Sequence, residues 1–75
     1  MDIFQIRSEF LRYILTTITK CIKKLNQPDI SLYLLNLYDK FAIKTVMYPQ
    51  DFYITQMSII KTKDEHEFIE WLETI

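Results

Sequence analysis

There is no glycine anywhere in this chain of 75 residues. Only glycine takes positive φ without a steric penalty, so tight hairpins, phosphate-cradling loops and the commonest helix C-caps all lean on it. A chain without it is biased toward helices joined by Pro, Asn and Asp turns. The same absence removes the Walker and dinucleotide fingerprints, both of which need backbone to approach phosphate closely.

Helical periodicity then organises most of the sequence. Phe4, Leu11, Ile18 and Leu25 recur every seven residues, and Ile14, Leu15, Cys21 and Ile22 fill the same stripe. This predicts one long amphipathic helix over 3–25, started by Asp2 and ended by Lys20, Lys23 and Lys24 against the negative end of its dipole. Asn26, Gln27 and Pro28 break it. Pro28 and Asp29 suit the first turn of a second helix, where a missing N–H costs nothing. Asp29, Asn36, Lys40 and Lys44 trace a narrow polar stripe along that helix, and the rest is apolar. A helix this apolar is expected to be covered on more than one side and to form the centre of the fold.

Tyr48, Pro49, Gln50 and Asp51 make a second break. Residues 52–62 pull in two directions. Phe52, Tyr53, Ile54, Thr55, Ile59 and Ile60 favour strand by composition, while Asp51, Thr55, Ser58 and Thr62 fall at helical spacing. Period favours a helix; the alternative is a hairpin at about 41–60, around Pro49 and Gln50. Thr62 with Glu65 matches a capping box for a closing helix, whose Phe68, Trp71, Leu72 and Ile75 form an inward stripe. The expected fold is therefore all-α, a small bundle of three to four helices in a single domain over 1–75. An α+β arrangement is the runner-up.

Composition bounds the function. The chain is 49% hydrophobic and carries five Phe, five Tyr and one Trp, too apolar for disorder. A domain of this size buries only about 60% of its unfolded surface, so its large side chains exceed what one small core needs. The single cysteine cannot make an internal disulfide, which suggests an intracellular, cytoplasmic protein. Asp2, Arg7, Glu9 and Arg12 at the start argue against a signal peptide or a membrane span. The formal net charge of -1 divides unevenly. Residues 1–49 hold seven Lys and Arg against four acids, net +3; residues 50–75 hold two against six, net -4. A bipolar layout suits self-association or a charged partner.

Chemistry finds few parts. His66 and Glu70 sit one helical turn apart, but nothing nominates a third metal ligand, and a solvated acidic helix start explains them. Cys21 shares the apolar stripe with Ile14, Ile18 and Leu25, which favours a buried, inert thiol. Lys20, Lys23 and Lys24, with Arg12 an earlier turn back, form the one basic cluster; dipole complementation accounts for it, and no recognition-helix signature follows. The sequence thus predicts no catalytic residues, no metal and no cofactor. It points to a non-enzymatic regulator, inhibitor or adaptor that self-associates as a homodimer or caps a larger protein. The candidate partner-binding residues are Phe4, Phe10, Leu11, Ile14 and Ile18 on the first helix. A helix-turn-helix-like nucleic-acid binder is the alternative.

Overall fold

The computed structural model describes residues 2–75, and it is a bundle of four helices: α1 (Ile3–Leu25), α2 (Pro28–Lys44), α3 (Gln50–Ile60) and α4 (Glu65–Thr74). A single 3-10 turn, Thr45–Met47, links α2 to α3. No strand occurs among the described residues, so the hairpin alternative for 41–60 is not what this segment forms.

Local signals set the ends. The Asp2 carboxylate accepts from the Gln5 N–H at 2.9 Å and caps the start of α1. At the other end Asn26 stands in the left-handed region, φ 50°, and its N–H reaches the Ile22 carbonyl at 3.0 Å. In a chain without glycine, Asn takes the position glycine commonly fills. Pro28 then occupies the first turn of α2. Helix α3 begins two residues earlier than its apolar run, because Pro49 is extended and the Phe52 N–H returns to the Pro49 carbonyl at 3.1 Å.

The start of α4 differs from the expected Thr62 and Glu65 pair. Thr62 instead turns back, its hydroxyl donating to the Ile59 carbonyl at 2.8 Å to finish α3. The capping box is formed two residues later, by Asp64 and Glu67. The Glu67 N–H donates to Asp64 at 2.9 Å, and the Asp64 N–H donates to the Glu67 carboxylate at 3.0 Å.

The core is aromatic and draws on every helix. Phe10 of α1 lies 5.9 Å from the Phe41 ring of α2, 5.4 Å from Tyr53 of α3 and 6.3 Å from Trp71 of α4, measured between centroids. Tilted and edge-on geometries of this kind suit the ring quadrupoles. Ile14, Ile18, Cys21, Leu34, Ile60, Phe68 and Leu72 complete the buried set. Polar groups inside are matched: Tyr53 O–H donates to the Thr45 carbonyl, Thr45 O–H to the Ala42 carbonyl at 2.6 Å, and Trp71 Nε1–H to Gln56 at 2.8 Å. Among the described residues, no buried side-chain nitrogen or oxygen lacks a partner.

The central element is α1 rather than α2. It contributes Phe10, Ile14, Ile18 and Cys21 to the core, whereas α2 fully buries only Leu34 and Phe41. Helix α1 packs against α2 and α3, and α2 packs against α1 and α4. At 1.5 Å per residue α1 is about 35 Å long, and the molecule measures 37 × 23 × 19 Å. One helix therefore sets the long axis, with α2 and α3 packed on it and α4 packed on α2. None of the described helices is long and apolar enough to cross a membrane.

Candidate interaction surface

A helix with two neighbours has two covered flanks and one open side. On α2 the covered flanks carry Leu34, Phe41, Ile30, Leu37 and Tyr38. The expected polar stripe, Asp29, Asn36, Lys40 and Lys44, is exposed. At 100° per residue that stripe fills only one half of the open side. The other half, an arc of about 80°, carries Leu35, Val46, Leu32 and Ile43, with Asp39 in its middle. Val46 belongs to the 3-10 turn, which continues the spiral closely enough to extend the stripe. Met47, about 100° further round, projects on the polar half of the open side.

These side chains are genuinely open: Leu32 is 67% exposed, Ile43 74%, Val46 68% and Met47 83%. Leu35, 40% exposed, completes an apolar strip with Leu32, Ile43 and Val46. The polar break at Asp39 divides it into a Leu32–Leu35 end and an Ile43–Val46 end. Asp39 forms no ion pair within the described chain; the salt bridge present joins Lys24 to Glu65.

Of the five residues expected to bind a partner, three lie elsewhere than a partner surface requires. Phe10, Ile14 and Ile18 are at most 1% exposed, buried by α2, α3 and α4. Their stripe is covered by the chain itself, because three short helices suffice to flank one long one. Leu11 is half-buried against the core. Phe4 alone remains open, 67% exposed, with the Arg7 guanidinium carbon 5.2 Å from its ring centroid. The antiparallel run of α1 and α2 brings Phe4 to the same end of the bundle as Val46 and Met47. Sequence reasoning did not nominate Leu32, Leu35, Ile43, Val46 or Met47, because it expected α2 to be covered on more than one side and to form the centre of the fold. The readable signal was its excess of apolar residues over what two neighbouring helices can cover.

Groups with chemical potential are scattered or quenched. Cys21 is fully buried, and burial pushes its thiol pKa up, with the Glu65 charge adding to the effect and Lys24 opposing it. A thiol so placed is a poor nucleophile. Among the described residues, no three His, Cys, Asp or Glu side chains converge as metal ligands, and His66 and Glu70 stand exposed. A recess of about 350 Å³ between α1 and α3 is lined by Ile6, Phe10, Tyr53, Ile54 and Met57, with Glu9, Ser58 and Lys61 beside them. It holds no unpaired buried polar group that would fix a ligand. In the basic cluster, Lys24 Nζ is engaged by Glu65 Oε1 at 3.0 Å. The hydrogen bond from Lys24 is the main reason the Glu65 carboxyl lies below its ordinary pKa.

Comparison with known proteins finds no matching family model, no similar curated protein and no similar solved structure.

Proposed function

We propose that this chain is a non-enzymatic interaction module that associates with itself through the open apolar half of α2 and the 3-10 turn that extends it. The carrying observation is the run Leu32, Leu35, Ile43 and Val46, held on a regular element and open to solvent. Apolar surface gains free energy when covered. Phe4, exposed near the start of α1, is a second open apolar side chain, an aromatic ring of the kind interfaces collect.

The nucleic-acid alternative has less support. The acidic first turn of α4 lies against the C-terminal end of α1, where Lys24 meets Glu65, so part of the basic cluster is neutralised within the molecule. Phosphate binding relies on uncompensated cations and gives steeply salt-dependent affinity.

Two measurements made together test the proposal. Gel filtration of the native chain and of Ile43→Glu, matched in concentration and in helicity by circular dichroism, should show the variant eluting later. Labelled duplex DNA of mixed sequence should show no tight binding that collapses between low and moderate salt. Identical elution of both chains, or strong salt-sensitive DNA binding, would overturn the proposal.

A further inference from the structure

We draw no further inference here: the strongest candidate, the apolar recess between α1 and α3 lined by Ile6, Phe10, Tyr53, Ile54 and Met57, has one carboxylate, Glu9, and one ammonium, Lys61, beside it, so neither charge nor packing in the structure shows what covers it.

Discussion

Tyr53 lies fully inside the core yet keeps a hydroxyl, and its O–H donates to the Thr45 carbonyl where α2 gives way to the 3-10 turn. Burial pushes its pKa up, with the Arg7 charge acting in the other direction. Tyr53→Phe keeps the ring and leaves the Thr45 carbonyl with only the longer bond from the Tyr48 N–H at 3.4 Å, so it should cost about 1 kcal/mol. Urea unfolding checks this: the midpoint should fall with an unchanged slope, and an unmoved midpoint would show that the bond contributes nothing. Cys21 gives a second test at this scale. Thiol reagents should react with it slowly in the native protein and quickly in denaturant; equal rates would contradict its burial. Both residues illustrate what a sequence makes legible one position at a time. The burial of Cys21 follows from sharing a stripe with Ile18 and Leu25. The Tyr53 bond does not follow from any stripe, because it depends on where a turn delivers a carbonyl from another element.

Among the elements, α4 depends most on its ends, having ten residues and three buried side chains. Asp64→Ala should destabilise the protein by about 1 kcal/mol, through loss of the N-cap. Trp71→Ala should cost about 3–5 kcal/mol, since the ring packs on Phe10, Phe41 and Phe68, and a small domain loses its fold to a cost of that size. Thermal melts rank the two variants, and a Trp71→Ala protein melting beside Asp64→Ala would contradict the packing. The Lys24–Glu65 bridge adds a pH signature. Because folding lowers the Glu65 pKa, its contribution is full above the ordinary value of 4.5 and fades as pH falls through the lowered value in the folded protein. The melting difference between native and Lys24→Met should therefore shrink from about pH 6 to about pH 3. A difference constant across that range would show that the bridge adds nothing. The α4 cap also shows where element boundaries escape sequence reading. Thr62 with Glu65 and Asp64 with Glu67 both offer a polar cap followed three residues later by Glu. Which pair wins is settled by the last turn of α3, which claims the Thr62 hydroxyl.

For the whole molecule, the length of α1 decides the architecture. A helix of 23 residues spans the longest dimension, and α2, α3 and α4 are too short to do more than flank it. The bundle and the α1 boundaries were legible because a seven-residue repeat states both. Three of the residues nominated for a partner, Phe10, Ile14 and Ile18, are buried for a related reason. An apolar stripe says that something covers it, and on α1 that something is the chain itself, through Phe41, Tyr53 and Trp71 around Phe10. The uncovered stripe is on α2, where no periodicity alone distinguishes a side facing α4 from a side facing water. The central claim, that this open half of α2 is covered by a second copy, is tested most directly by sedimentation equilibrium. Over a range from low to high micromolar, the native chain should rise from 9.2 kDa toward about 18 kDa as a twofold dimer forms. Ile43→Glu, with unchanged helicity, should remain at the lower mass. A native chain that sediments as a single 9.2 kDa species throughout would contradict the account.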